Sequence, residues 1–169
     1  MNSNKDGLKI LQYNVMRSRD EVMATLLRDP KIHDYDILAF QEPWRNSFIS
    51  TTHNPISHSF HLCFPKDSRD APARVCFFVN KRINPNKWRY TEHTRDVNTL
   101  EITTRTSDAD TISKIVIHNA YNPPRSSDHQ ESCLPHLRTA LSAHHGEEQI
   151  ILGDPHPNMR SLLRHPLPT

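Results

Sequence analysis

The chain contains no Cys-x-x-Cys pair, and its three cysteines, Cys63, Cys76 and Cys133, are an odd number. That argues against a disulfide framework and fits a reducing compartment. Nor does any apolar run approach the roughly 18 residues needed to span a bilayer. The N-terminal stretch MNSNKDG is polar and has no apolar h-region, so no signal peptide is expected. Together these absences predict a nuclear or cytoplasmic chain, not secreted and with no membrane partner. Strong net charge is missing too: 21 Lys and Arg stand against 19 Asp and Glu, a formal charge of +2. This balance permits contact with an anionic polymer, but an ordinary soluble surface explains it more simply. There is no internal repeat and no low-complexity segment. Hydrophobic residues make up 35% and the mean hydropathy is -0.72, lean for a packed core. The apolar residues are nevertheless clustered, and 169 residues suit one domain.

The clusters carry periodicity. LKILQYN, Leu8 to Asn14, alternates apolar and polar residues as a strand does. Ser18 and Glu21 have capping-box spacing, and Val22, Met23, Leu26 and Leu27 then fall on one helical face that Pro30 ends. DILAFQ, Asp36 to Gln41, is a short apolar run that predicts a strand buried on both faces. A helix of about ten residues between two strands is the usual parallel crossover. The middle is rich in strands: Ser59 to Phe64, Arg74 to Val79, Asn98 to Thr104 and Ile112 to Tyr121, separated by turn-forming PKDSRDAP, NPN and SDAD. His129 to His145 reads as a helix that Pro135 starts late or kinks, with Gly146 as its cap. Gln149 to Leu152 is the last strand. The order β-α-β, several antiparallel strands, then α-β predicts an α/β chain around a sheet core.

Several strands stop on residues that can do chemistry. The first ends in Asn14, the second in Gln41 and Glu42, a later one in Tyr121, and the last in Asp154. Each taken alone is explained by a turn or a cap. All of them together point to one end of a sheet, where α/β proteins build their sites. Glu42 and Asp154 would form a carboxylate pair, whose repulsion a hard divalent cation relieves. Mg²⁺ is the simplest choice, with Mn²⁺ as an alternative, and such an ion serves phosphoryl chemistry. Asn14 would hold a phosphate oxygen or a ligating carboxylate, and Tyr121 would donate to the same phosphate.

The segments ILQYNVMRS, DILAFQEPW, ARVCFFVNK, HNAYNPP and IILGD, in this order, resemble successive motifs of the endonuclease/exonuclease/phosphatase superfamily. The resemblance covers Leu8 to Asp154. It is nearest to the endonuclease domain of LINE-type retrotransposons, particularly fungal ones, with QEPW and YNPP the most specific parts. It implies an α/β sandwich of two packed sheets with flanking helices, and metal-dependent cleavage of DNA phosphodiesters. A reverse transcriptase in the parent element would be a partner. By motif match Glu42 is the metal ligand, Asn14 its neighbour at the phosphate, Tyr121 a contact to the scissile phosphate, and Asp154 the group that orients water.

The chain also departs from the family. Pro155 and His156 stand where the family continues GD as GDFN, and Asn158 fits that role poorly. His165 lacks the preceding Ser-Asp of the family's Ser-Asp-His motif. The expectation is an incomplete sandwich over residues 1–154 with an irregular tail over residues 155–169, a C-terminally truncated domain of impaired activity. One sheet would then show an uncovered edge. The main alternative is a catalytically dead remnant that binds nucleic acid weakly. A phosphatase acting on a small phosphoester is a third reading, which QEPW disfavours. Trp44 is open to two roles, lining the substrate cleft or packing. Arg17, Arg19, Arg45 and Arg74 flank the site segments, with a solvated surface role the simpler for each. The twelve histidines have no zinc-like spacing and read as scattered surface residues, and Cys76 reads as buried and inert.

Overall fold

A computed structural model describes residues 7–16, 20–45, 51–66, 72–105, 112–123 and 132–154, with only the main chain at Asp20, Arg105 and Asp154. Strand β1 (Ile10–Asn14) and strand β2 (Ile37–Gln41) run parallel, with Ile10 opposite Ile37 and Asn14 opposite Gln41. Helix α1 (Asp20–Arg28) makes the crossover, as its spacing predicts. Met23 and Leu27, four apart, are fully buried beneath it. Burial of side chains this size contributes about 1.5–3 kcal/mol each. Val22, expected on the same face, is instead 40% exposed at the helix flank. The Ser18 cap lies outside the described residues. Pro30 does not simply stop the helix: it opens a 3₁₀ turn, Pro30–Asp34, capped by Asp29 accepting from the Lys31 amide at 2.9 Å.

Strand β3 (Phe60–Cys63) and strand β4 (Val75–Asn80) complete the first sheet, ordered β1-β2-β4-β3, with β4 antiparallel to both neighbours. The second sheet holds β5 (Trp88–Thr94), β6 (Val97–Arg105), β7 (Ile112–Tyr121) and β8 (Glu148–Asp154) in that order. Its first three strands form an antiparallel meander, and β8 runs parallel to β7. Strand β5 escapes the sequence pattern, because only Trp88 and Tyr90 in WRYTEHT carry the apolar alternation that packs on the core. Helix α2 (Leu134–Ala143) starts late at Pro135, and Gly146, at φ 86°, turns the chain after it into β8. Glycine adopts that left-handed conformation without the steric penalty of a Cβ.

Successive residues in a strand face opposite ways, and this builds three apolar layers. Ile37, Ala39, Phe77 and Val79 of the first sheet meet Leu100, Ile102 and Ile117 of the second. Leu38, Phe40, Cys76 and Phe78 face outward under α1 with Met23 and Leu27. Leu137 and Ala140 of α2 cover Val97 and Ala120 on the other side, beside Cys133. The result is a two-sheet α/β sandwich with a helix on each outer face. All five β2 residues are buried, as an apolar run predicts. Cys76 is fully buried and desolvation raises its thiol pKa, which makes it inert. Cys63 and Cys133 are buried as well, their thiols pushed up to about 12. Among the described residues no helix is long and apolar enough to cross a membrane.

Candidate active site

The two sheets are tied together by a chain of side-chain amides, exposed at Gln12 and buried at Gln41 and Asn119, near the C-terminal ends of β1, β2, β7 and β8. The Gln12 Nε2 donates to the main-chain oxygen of Gly153 at 2.9 Å and to Gln41 Oε1 at 3.2 Å. The Gln41 Nε2 in turn donates to Asn119 Oδ1 at 2.6 Å. Asn119 Nδ2 then donates back across the sandwich to the carbonyls of Phe40 and Cys76, at 3.1 and 3.0 Å. Gln41 and Asn119 are fully buried, where an unpartnered amide costs about 1–3 kcal/mol. Each partner therefore fixes the other. Gly153 belongs to the same clamp: a Cβ there would run into the carbonyl oxygen of Ala120 on β7, so β8 approaches this closely only with glycine.

This clamp sets where the strand-terminal residues stand. Asn14 ends β1 beside Gln41, and its Nδ2 points at Glu42 Oε1 at 3.5 Å. The Asn14 Oδ1 is engaged by the Met16 amide at 2.8 Å, which turns the amino group toward the carboxylate. Glu42 follows β2 at φ 48°, and Met16 follows β1 at φ 54°. Left-handed backbone at a residue other than glycine costs about 1–2 kcal/mol, and such strain gathers at functional sites. It is held at Glu42 by its amide donating to the Arg74 carbonyl at 2.7 Å. On the second sheet, Tyr121 ends β7 directly opposite Asp154 of β8 in the parallel register. Tyr121 is 7% exposed. The structure thus brings Asn14 and Glu42 together and pairs Tyr121 with Asp154 along the main chain. The Asp154 side chain is outside the described residues, as are Arg17, Arg19, Asn158, His165 and the tail.

A groove of about 250 Å³ opens beside Glu42, lined also by Pro43, Trp44, Arg45, Ala73 and Arg74. Trp44 packs on the core under α1 and also lines this groove. Arg74 corrects the surface reading. It is 3% exposed and clamps Asp96, with Nε 2.5 Å from Oδ1 and Nη2 3.0 Å from Oδ2. His118 is a second correction, buried completely on the outward side of β7. It bonds Thr99 Oγ1 at 2.9 Å and Gln149 Oε1 at 2.9 Å, and burial lowers its pKa. Gln12, Asp96 and Asn119 were not singled out by the sequence reading. A signal for two of them was present: Gln12 and Asn119 each precede a strand-ending polar residue by two, and so share its face.

Among the described residues, no three His, Cys, Asp or Glu side chains group to hold a metal ion. The chemistry of the donors at the strand ends still fits a hard cation. Glu42 offers a carboxylate oriented by an amide, and Mg²⁺ binds through one or two carboxylates while keeping several waters.

Comparison of the whole chain with solved structures finds the catalytic domain of human Nocturnin with bound sulfate, with a TM-score of 0.54 and 14% identity. That match covers 95% of this chain and 69% of the Nocturnin chain. The catalytic domain of Xenopus laevis APE2 matches with a TM-score of 0.59 and 15% identity, over 87% of this chain and 58% of that one. The fold is the endonuclease/exonuclease/phosphatase sandwich. The chain spans well under two thirds of the APE2 domain's length. No protein-family model matches it, and no curated protein does.

Proposed function

We propose that this chain is a metal-dependent phosphodiesterase domain that cleaves DNA, of the retrotransposon-endonuclease type. The observation that carries the reading is the meeting of strand ends. Asn14 and Glu42 close one sheet, Tyr121 and Asp154 close the other, and the Gln12 bond to Gly153 ties them together. The LINE-type assignment, with a reverse transcriptase as partner in the parent element, rests on QEPW and YNPP. Three reduced, buried cysteines agree with a nuclear or cytoplasmic setting.

In this reading, the Asn14 amino group steadies the Glu42 carboxylate and reaches the phosphate. The Tyr121 hydroxyl donates to a non-bridging oxygen of the scissile phosphate. The Asp154 carboxylate orients a water and takes its proton as the oxygen attacks phosphorus. The bond from phosphorus to the leaving sugar oxygen then breaks, and that oxygen takes up a proton from water. Mg²⁺, or Mn²⁺ in its place, held at Glu42 supplies charge neutralisation at the phosphate and the leaving oxygen. No Ser-Asp-His follows Asp154, where the resemblance would place one; Ser127, Asp128 and His129 stand earlier in the sequence, outside the described residues.

Pro155 and His156, standing where the resembled family continues GD as GDFN, favour a second reading, a remnant that binds nucleic acid without cutting it. Plasmid nicking separates the two. Nicking that needs Mg²⁺, stops with EDTA and disappears in Glu42→Ala supports the nuclease. Salt-sensitive DNA binding without nicking, unchanged in Glu42→Ala, supports the remnant.

A further inference from the structure

Arg74 touches both halves of the candidate site through different atoms. Its main-chain oxygen accepts the Glu42 amide at 2.7 Å and so holds the left-handed turn that carries the carboxylate. Its guanidinium stands over the Tyr121 ring, with Cζ 5.5 Å from the centroid. The guanidinium cannot slide along the ring, because Asp96 grips it through both carboxylate oxygens. Asp96 also holds the Tyr121 main chain, its carbonyl accepting the Tyr121 amide at 2.9 Å. The Arg74 amide donates to the Arg95 carbonyl at 2.7 Å, which anchors the arginine to the same turn.

Buried ion pairs are weak stabilisers, since desolvating two charges offsets most of their attraction. What such a pair supplies here is direction. A planar guanidinium gripped at two points presents a fixed face, and lysine has no such face. We propose that Arg74 is a positioning residue for the candidate site, setting the Glu42 turn through its main chain and the Tyr121 phenol through its side chain. The proposal rests on the nuclease reading for its catalytic consequence, but not for its geometry.

The test uses the full chain and the variant Arg74→Lys, which keeps a charge for Asp96 and removes the flat face. With ¹³C-labelled tyrosine, the ring resonances of Tyr121 shift in the variant, while those of Tyr13, Tyr35 and Tyr90 stay in place. Unmoved Tyr121 signals, or four tyrosines moving together, overturn the proposal. The second arm reads Mg²⁺-dependent nicking. Arg74→Lys lowers kcat about tenfold with KM nearly unchanged, a loss typical of a misplaced reacting group. In a Tyr121→Phe background, where the hydroxyl is gone, the same substitution lowers kcat by less than about twofold. An equal loss in both backgrounds marks a general structural role and overturns the proposal. If the parent chain does not nick DNA, the nuclease reading fails by itself, and the tyrosine spectra alone decide whether Arg74 positions Tyr121.

Discussion

Gln12 bonds to the main-chain oxygen of Gly153 at 2.9 Å, across 141 residues of sequence. One amide thereby joins the edge strand of the first sheet to the edge strand of the second, two residues from Asn14 and one from Asp154. The clamp continues inward through Gln41 to Asn119. Its consequence is that the spacing between the halves of the candidate site is set by hydrogen bonds, which are directional, rather than by the adaptable apolar packing around them.

The innermost member of this chain carries the most stability. Asn119→Ala strands the Gln41 amino group and removes the second hydrogen bond of the Phe40 and Cys76 carbonyls, which face each other in the β2–β4 ladder. A fall of about 2–4 kcal/mol in unfolding free energy is expected, from one unmet buried amide at about 1–3 kcal/mol and two further lost hydrogen bonds at about 0.5–1.5 kcal/mol each. Gln12→Ala, whose side chain is more exposed, should lose under about 1 kcal/mol. Urea denaturation of the two variants measures both. Equal losses would show that the buried chain is not the clamp.

Gly153→Ala tests the close approach of β8. The added methyl meets the Ala120 carbonyl oxygen, so the strands must part or shift register. Overpacking of this kind costs about 1–3 kcal/mol. Nicking should also fall more than stability predicts, because the displaced residue is the one before Asp154. Activity and denaturation, measured on the same preparation, separate the two effects.

Elements whose signal is local were legible in the sequence, and contacts between distant segments were not. Ile112 to Tyr121 reads as a strand over its observed length, and Pro135 and Gly146 mark the start and end of α2. The parallel pairing of β1 with β2 follows from a helix lying between them. Strand β5 was missed because its polar residues dilute a two-residue apolar alternation. Arg74 reads as a surface arginine because its partner lies 22 residues away, and His118 as a surface histidine because Gln149 lies 31 away. Asn14 and Glu42 were legible as strand ends. That they stand within reach of each other depends on a parallel register that no local pattern specifies.

The left-handed backbone at Glu42 makes a separate prediction about function against stability. Glu42→Gly relieves the strain at φ 48°, partly offset by the greater freedom of glycine in the unfolded chain. Stability is expected to stay level or to rise by up to about 1 kcal/mol. Glu42→Gln keeps the shape and the strain but removes the charge. Both should lose Mg²⁺-dependent nicking by at least about 100-fold, since a hard cation needs the carboxylate. A clear loss of stability in Glu42→Gly would mean that the turn is not strained.

The outward face of the second sheet makes stability depend on pH. Gln149 donates through Nε2 to the carbonyls of Leu141 and His144, at 3.3 and 2.9 Å, so its Oε1 must accept from His118 Nε2. His118 Nδ1 then accepts from the Thr99 hydroxyl, and the Thr99 oxygen accepts from His93 Nε2 at 2.8 Å. The chain is satisfied with both imidazoles neutral. A proton added to His118 Nδ1 turns the Thr99 hydroxyl onto a nitrogen that already carries hydrogen. Burial lowers the pKa of His118 below its ordinary value of 6.5, with nearby His144 and His93 acting in the same direction against the Gln149 bond. His93 is lowered too, by burial and then by His144 and His136. Both groups therefore bind protons more readily in the unfolded chain. Their contribution to stability is full above pH about 6.5 and is lost as pH falls through the lower folded values. Each such site changes stability by at most about 1.4 kcal/mol per pH unit. Glu101 and Glu147 are held below the usual carboxylate range, with Lys114 bonded to both, so they act at lower pH than the histidines. The denaturation midpoint should be level from pH 8 to 7 and drop from pH 6.5 to 5. His118→Phe should be less stable at pH 8 and much flatter across the lower range. An unchanged slope in that variant would move the origin of the pH dependence away from this chain of bonds.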